Sequence, residues 1–331
     1  MAALDACFKR AGNFECSIEV DPRHSPPGMM EFLAGLGFNR VSLGVQDFDP
    51  EVQKAVHRVQ DEELTRRAVA EARANGFRSV NFDLIYGLPK QTLDSFNRTL
   101  ERVIALDPDR IALYSYAHLP KVFKPQRRIA QADLPSAEAK LQILTLAIGR
   151  LTRAGYLYIG IDHFARPDDE LAIAQRRGRL QRNFQGYSTF PESDLVGLGV
   201  SAIGRIGPTY YQNQKRLDDY YAALDAGRLP VARGIELTQD DLARRAVIQA
   251  LACHFRVSTE SIEIAYLIDF KSYFARELKS LRRLQEEGLV DLSDVWITVT
   301  PRGRLLVRVI CMAFDRYLCE AQARAAYSRV I

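Results

Sequence analysis

Glu19, Gln46 and Asp83 each stand where a run of strand character ends and a turn begins. A carboxylate in such a place can accept hydrogen bonds from hydroxyls, amines or amides of a ligand, and a side-chain amide can both donate and accept. Asp83 carries the strongest signal. The segment from Phe77 is extended and apolar with polar interruptions, and Tyr86-Gly87-Leu88-Pro89 breaks it before a helical pattern opens near Thr92. Parallel barrels place their working groups at the C-terminal end of a strand, ahead of such a loop. A helix-capping or solvated aspartate would have the same spacing. Tyr116 to His118 closes the next strand in the same manner.

The elements that must position these residues alternate along the chain. Ala2 to Lys9 reads as the last turns of a helix, and Cys16 to Asp21 as a strand. A helix from Met29 is closed by Gly37, and Arg40 to Val45 is the next strand. Asp61 to Asn75 is an amphipathic helix ended by Gly76. After the Asp83 strand come a helix over Leu93 to Leu106, a strand over Arg110 to Tyr116, a helix from Ser136 to Ala154 stopped by Gly155, and a strand from Tyr156 to Ile161. Each crossover is long enough for parallel pairing. Polar groups recurring at successive strand ends point to a parallel barrel or an open doubly wound sheet with its site on the C-terminal edge.

From Asp162 the pattern changes. Residues 162–214 read as loop-rich and hold Asn183-Phe-Gln-Gly-Tyr187 and a glycine run from Gly197 to Gly204. That run fits tight packing better than a phosphate loop, because it matches neither dinucleotide nor Walker spacing. Residues 236–331 read as mostly helix, over Thr238 to His254, Phe270 to Glu287 and Arg302 to about Arg324, with a short hairpin over Leu289 to Thr300. Helix, helix and hairpin resemble a winged helix, but Glu286 and Glu287 beside the basic helix argue for a structural or lid role over DNA binding. The expected division is 1–214 and 215–331.

Composition is that of a globular chain: 331 residues, 47% hydrophobic and 26% charged. A formal charge of +4 gives no argument for nucleic acid, no apolar run is long enough for a membrane span, and the first residues lack the order of a secretory signal. The five cysteines, Cys7, Cys16, Cys253, Cys311 and Cys319, form no CxxC or CxxxCxxC group, so their spacing names no metal site. Buried thiols in a reducing cytoplasm are the expectation.

A set of runs carries a family likeness: Glu19-Val-Asp-Pro, Gly44-Val-Gln-Asp-Phe48, Asp83-Leu-Ile-Tyr-Gly-Leu-Pro-Lys-Gln91, Tyr116-Ala-His-Leu-Pro120, Asp162-His-Phe-Ala-Arg-Pro167, Asn183 to Tyr187 and Ser328-Arg-Val-Ile331. The chain resembles the oxygen-independent coproporphyrinogen III oxidases, radical S-adenosylmethionine enzymes of porphyrin and haem biosynthesis. The likeness runs over essentially the whole chain. It implies an α/β fold: a partial (β/α) barrel lacking its first two βα units, followed by a mostly helical C-terminal domain. It also implies oxidative decarboxylation of two propionates of coproporphyrinogen III to vinyl groups, giving protoporphyrinogen IX by way of a 5′-deoxyadenosyl radical. One departure stands out. The CxxxCxxC motif that holds the family's [4Fe–4S] cluster is absent, as is the glycine-rich segment after it. The chain by itself is therefore expected to be inactive.

Carried over residue by residue, the S-adenosylmethionine contacts fall on Glu19, Gln46, Arg58, Asp83, Ala117 and Ile203. The carboxylates can accept from ribose hydroxyls or an amino group, and Arg58 can form a fork to a carboxylate. The substrate's propionates have candidate partners in Lys121, Lys124, Arg127 and Arg128 and in Arg176, Arg177, Arg179 and Arg182, against the alternative of a solvated basic surface. His163 is the histidine of most interest. The resemblance implies coproporphyrinogen III and an electron donor as partners and a monomeric state. A haem-binding chaperone of the same superfamily, or a non-catalytic remnant, are the alternatives.

Overall fold

A computed structural model of the chain describes residues 1–190 and 193–318. Among the described residues they form two compact units, Met1–Ala172 and Ile173–Leu318. This packing division lies ahead of the 214/215 boundary expected from the sequence.

In chain order the first unit comprises α1 (Ala2–Cys7), β1 (Ser17–Val20), α2 (Met29–Gly35), β2 (Arg40–Gln46), α3 (Pro50–Ala55), α4 (Glu62–Ala74), β3 (Ser79–Tyr86), α5 (Leu93–Leu106), β4 (Arg110–Ser115), α6 (Ala137–Arg153), β5 (Leu157–Gly160), β6 (His163–Ala165) and the start of α7 (Glu170–Arg176). Side-chain caps set the helix starts. Asp61 accepts from the Glu63 N–H, Ser136 from the Ala139 N–H, and Thr92 forms a reciprocal box with Ser95. The strands lie in the order β1-β2-β3-β4-β6-β5, and β1 to β4 are parallel.

Register decides which residues share a face. Val20, Leu43, Phe82 and Ile111 stand side by side across β1 to β4. They are buried against Met30, Leu33, Ala72, Phe96, Leu100, Ala147 and Leu151 of the covering helices. The alternate positions, Glu19, Ser42 and Asn81 in one row and Gly44, Asp83 and Ala112 in the next, occupy the opposite face.

The last strands differ from the expected single parallel strand over Tyr156 to Ile161. The chain reverses at Gly160, Ile161 and Asp162, all at positive φ (131°, 30° and 70°), and returns as β6, antiparallel to both β5 and β4. Positive φ at both central residues is the geometry of a tight hairpin turn. The reversal seats His163 beside Ala112 on the same face as Asp83.

The second unit adds strands to the stretch read as loop-rich, while its C-terminal part is mostly helical as expected. It holds a hairpin of β7 (Gln181–Arg182) with β8 (Tyr187–Ser188) and an antiparallel sheet of β9 (Ile203–Ile206), β10 (Thr209–Asn213) and β11 (Val231–Glu236), with α8 (Leu217–Asp225) between the last two. The glycine run ends inside β9, where the Tyr211 ring occupies the space a Gly204 side chain would need. Gly197 and Gly204 serve close packing, whereas Gly199 sits in open space at φ 96°.

There follow α9 (Gln239–His254), β12 (Arg256–Ser258), α10 (Thr259–Tyr266), α11 (Phe270–Tyr273), α12 (Ala275–Glu286), β13 (Val290–Leu292), β14 (Trp296–Val299) and α13 (Val307–Met312). The β12-β14-β13 sheet with α9, α10 and α12 is the winged-helix arrangement. Phe274 packs edge-on to Phe314 at its centre. The long helix expected from Arg302 is instead a short 3-10 turn over Gly303–Leu306 followed by α13, and a side chain at Gly303 would collide with the Leu289 carbonyl. Residues 319–324 of that expectation lie outside the described residues. No helix among the described residues is long and apolar enough to cross a membrane.

Candidate ligand-binding face of the parallel sheet

Asp83 stands on the face of β3 turned away from the helices, and its carboxylate is held on both oxygens. Ser42 Oγ donates to Asp83 Oδ2 at 2.6 Å, and Asn81 Nδ2 donates to Asp83 Oδ1 at 3.0 Å and to Ser42 Oγ at 2.7 Å. Glu19 follows in the same row as Ser42 and Asn81. Burial pushes the Asp83 carboxyl above its ordinary range, the Ser42 hydrogen bond works against that, and the nearby charge of Glu19 adds to the rise. Glu19 itself is exposed. The pair gives one fixed, partly desolvated acceptor and one open acceptor on the same strip of sheet.

Gln46 and Arg58 meet over Gly44, one residue row toward the C-terminal edge. A Cβ on Gly44 would lie 3.0 Å from Arg58 Nη2 and 3.1 Å from Gln46 Nε2, so a larger residue would crowd both. Gln46 adopts φ 64°, a left-handed conformation uncommon outside glycine, which turns the strand end. Arg58 Nη2 donates to the Gly44 carbonyl at 2.9 Å and Nη1 to Asp21 Oδ2 at 2.9 Å. Its fork is thus engaged by the protein, while its buried Nε has no hydrogen-bond partner among the described residues. Asp21 also binds Arg23, which with burial opposing and Arg58 assisting holds its carboxyl far below the usual carboxylate range.

Ala117 lies just past the end of β4, at the same edge, and its carbonyl accepts from Gln126 Nε2 at 3.0 Å. Ile203 belongs to the second unit, where it opens β9 opposite Gln212. The first unit therefore brings Glu19, Gln46, Arg58, Asp83 and Ala117 to one face and edge of the sheet. His163 contributes to the same face. Its Nδ1 lies 2.7 Å from the Ile161 carbonyl, and Tyr114 meets its ring edge-on. Lys121, Lys124, Arg127 and Arg128 are exposed in the loop after β4. Arg176, Arg177 and Arg179 are exposed, whereas Arg182 is half-buried with its guanidinium over the Tyr187 ring at 4.9 Å.

Sequence reasoning missed Ser42, Asn81 and Asp21. The alternation of Arg40, Ser42 and Gly44 with Val41, Leu43 and Val45 was the available signal for Ser42. It also missed the charged cluster at the starts of β2 and β4, where Arg110 stands beside Asn81. There Arg110 Nε pairs with Asp169 at 2.8 Å and its Nη2 with Glu170 at 3.0 Å, while Arg40 pairs with Glu170 and with Glu15.

The thiols do not suit a metal cluster. Cys7 is exposed in α1, Cys16 precedes β1, and Cys253 and Cys311 are buried in α9 and α13. Burial pushes both of the latter up to about 12, so they are poor thiolates. Cys319 lies outside the described residues. Among the described residues no three His, Cys, Asp or Glu side chains converge on a metal position. These residues do not fit a [4Fe–4S] cluster, which requires cysteine thiolates, and no step is derived through one.

Residues 1–103 match the model of the Radical SAM superfamily and residues 237–306 that of the HemN C-terminal domain. The oxygen-independent coproporphyrinogen III oxidase of Pseudomonas aeruginosa is 57% identical over 314 residues, covering 95% of this chain and 68% of the relative. The enzyme of that name from Salmonella typhimurium is 54% identical over 331 residues, covering 100% and 72%. The solved structure of coproporphyrinogen III oxidase from Escherichia coli, described as a radical SAM enzyme, superposes with a TM-score of 0.93 at 52% identity, covering 96% of this chain and 73% of that one. The chain belongs to the oxygen-independent coproporphyrinogen III oxidases, radical S-adenosylmethionine oxidoreductases whose superfamily uses S-adenosylmethionine and a [4Fe–4S] cluster.

Proposed function

We propose that this chain provides the S-adenosylmethionine-binding sheet and the C-terminal part of an enzyme that converts two propionates of coproporphyrinogen III to vinyl groups, giving protoporphyrinogen IX. Each conversion removes one hydrogen atom and one electron from the side chain and releases carbon dioxide. S-adenosylmethionine, when bound, supplies the hydrogen-abstracting chemistry. An electron donor to the cluster and an acceptor for the departing electron come from elsewhere. The family's redox cluster would need ligands beyond those described, so the chain by itself is inactive.

The observation that carries this reading is the convergence of Glu19, Ser42, Asn81 and Asp83 on the face of the parallel sheet not covered by helices. Glu19 and Asp83 accept from ribose hydroxyls or the amino group of the ligand. Ser42 and Asn81 fix the Asp83 carboxylate so that its orientation is set before the ligand arrives. Arg58 holds the end of β2 through Gly44 and draws Asp21 to the same edge. Gln46, Ala117 and Ile203 complete the contact set that the family implies. The basic residues after β4 and around Arg182 are the groups suited to the propionates. We place residues 173–214 functionally with the sheet as substrate-side loops, in a cytoplasmic, monomeric enzyme.

Calorimetric titration of S-adenosylmethionine into the chain tests the reading without turnover. Saturable binding that weakens at least about tenfold in Asp83→Ala and in Glu19→Ala is expected, each losing a polar contact worth roughly 1.5 kcal/mol. Equal affinity in both variants, with unchanged circular dichroism, would remove this face from the site.

A further inference from the structure

Gln126 is half-buried in a run whose neighbours, Lys121 to Pro125 and then Arg127 and Arg128, are all exposed. It belongs to the 3-10 turn Lys124–Arg128, in the excursion that leaves the sheet after β4. Its side chain turns back to the strand end. Oε1 accepts from the Leu119 N–H at 2.5 Å, and Nε2 donates to the Ala117 carbonyl at 3.0 Å. One primary amide therefore meets an acceptor and a donor two residues apart, much as a neighbouring parallel strand would. These partners fix which end is oxygen, because a flipped amide would set donor against donor and acceptor against acceptor.

The amide joins two structures of different kinds. On the strand side, the Tyr116 N–H donates to the Tyr86 carbonyl at 2.8 Å, so the pairing of β3 with β4 runs on to Tyr116, and Ala117 is the first residue beyond it. Lys140 steadies that peptide, with Nζ 3.3 Å from the Tyr116 carbonyl. On the turn side, the Leu119 carbonyl accepts from the Val122 and Phe123 N–H groups, both at 2.9 Å, and the Gln126 N–H donates to the Phe123 carbonyl at 3.1 Å. Arg127 Nε donates to the Pro120 carbonyl at 3.0 Å. Those bonds make residues 119–128 one turn that displays Lys121, Lys124, Arg127 and Arg128. Gln126 is the side chain that ties this turn to Ala117.

We infer that Gln126 is a positioning residue that couples two ligands: it sets the Ala117 carbonyl on the S-adenosylmethionine edge and, with the same amide, seats the basic turn that takes the propionates. The inference rests on the two ligand assignments of the function proposed above. Whichever ligand binds first orders the shared turn, and the second meets an edge already in place, so the coupling is positive. It is also reciprocal, with the same factor in either affinity.

Calorimetry on the full chain measures S-adenosylmethionine affinity with and without saturating coproporphyrin III, the oxidised form that keeps the substrate's propionates, and the converse. In the parent each ligand is expected to tighten the other at least about fivefold. Gln126→Met, close to glutamine in size but without the amide, is expected to bring that factor below about twofold. Gln126→Glu keeps an acceptor for the Leu119 N–H but has no donor for the Ala117 carbonyl. It is expected to lose the coupling as fully, which locates the effect in the Ala117 bond. Hydrogen exchange at the Leu119 amide gives a check without substitution, since either ligand alone is expected to slow it in the parent. A parent that binds both ligands with no mutual effect overturns the inference and leaves the binding assignments standing. Coupling that survives both substitutions overturns it as well, as does a Leu119 amide whose exchange neither ligand changes. Variants that lose urea stability but keep the coupling would reduce Gln126 to a loop staple and refute the coupling role. A parent that binds no S-adenosylmethionine, or no coproporphyrin, removes the ligand assignment itself, and this inference with it.

Discussion

Gln91 Nε2 donates to Asp47 Oδ2 at 2.6 Å, joining the two runs of motif residues that follow β2 and β3. The same Gln91 nitrogen donates to the Ile85 carbonyl at 3.0 Å, and its oxygen accepts from the Gly87 N–H at 2.5 Å. Asp47 accepts further from Thr99 Oγ1 and from the Asp49 N–H. Burial pushes the Asp47 carboxyl up despite these donors. Both motif residues thus hold the backbone of the loops that follow Gln46 and Asp83.

Replacing Gln91 with Leu removes three buried hydrogen bonds and strands a carboxylate oxygen. A loss of about 1–3 kcal/mol is expected, read as a lower urea midpoint at unchanged slope. A change under about 0.5 kcal/mol would show that the loop is held by packing alone.

The Arg110 cluster gives a second stability prediction. Arg110 and Asp169 have side chains only 14% and 6% exposed. Burial works against the Arg110 charge, and Asp169 with Glu170 outweighs it, holding the guanidinium pKa above its ordinary value. Arg110→Met leaves Asp169 charged, buried and unpaired, and is expected to cost about 3–5 kcal/mol. Adding Asp169→Asn removes that charge while keeping the side-chain oxygen that accepts from the Leu171 N–H. The double variant should be more stable than the single one in urea denaturation, and the reverse order would refute the buried-charge account.

Much of the first unit could be read from local chemistry. Asp61, Thr92 and Ser136 are strong caps, so the starts of α4, α5 and α6 agree with the pattern to within a residue. The alternation through β3 placed Asp83 on a strand and near its end. What stayed hidden depended on contacts distant in sequence. Nothing near Arg58 shows that its fork turns to Asp21 and Gly44. The hairpin that creates β6 turns through Ile161 at positive φ, a conformation that β-branched residues disfavour, so local preference pointed to a continuing strand. The β9–β11 sheet was obscured by glycines whose purpose is visible only once the Tyr211 ring lies on Gly204.

The scattered thiols lead to a compositional test. Anaerobic reconstitution of this chain with iron and sulfide, followed by desalting and metal analysis, is expected to leave substoichiometric iron. Cys253 and Cys311 are buried and Cys7 and Cys16 belong to separate elements. About four irons per chain with the absorbance of a cubane cluster would refute the expectation.

The Asp83 carboxyl makes the candidate site visible in the pH dependence of folding. Its pKa is raised in the folded protein, chiefly by burial and further by Glu19. Between the ordinary carboxylate value and the raised one, the folded chain holds a proton that the unfolded chain has lost. The contribution of Asp83 to stability therefore falls as pH rises through that window. Asp83→Asn has no such titration and keeps an oxygen for the Ser42 hydroxyl. The stability of the variant relative to the parent is expected to climb as pH is raised from below the ordinary carboxylate range through the raised titration of Asp83 and then to level off. Glu19→Gln removes one of the two upward pushes, so in that background the climb should be smaller and finish at lower pH. Urea denaturation of the four proteins across this range, followed by far-ultraviolet circular dichroism, supplies the curves. A difference between Asp83→Asn and parent that stays flat with pH would mean that the carboxyl is solvated and ordinary in solution. The Ser42, Asn81 and Glu19 arrangement would then not be the preset acceptor assigned to it.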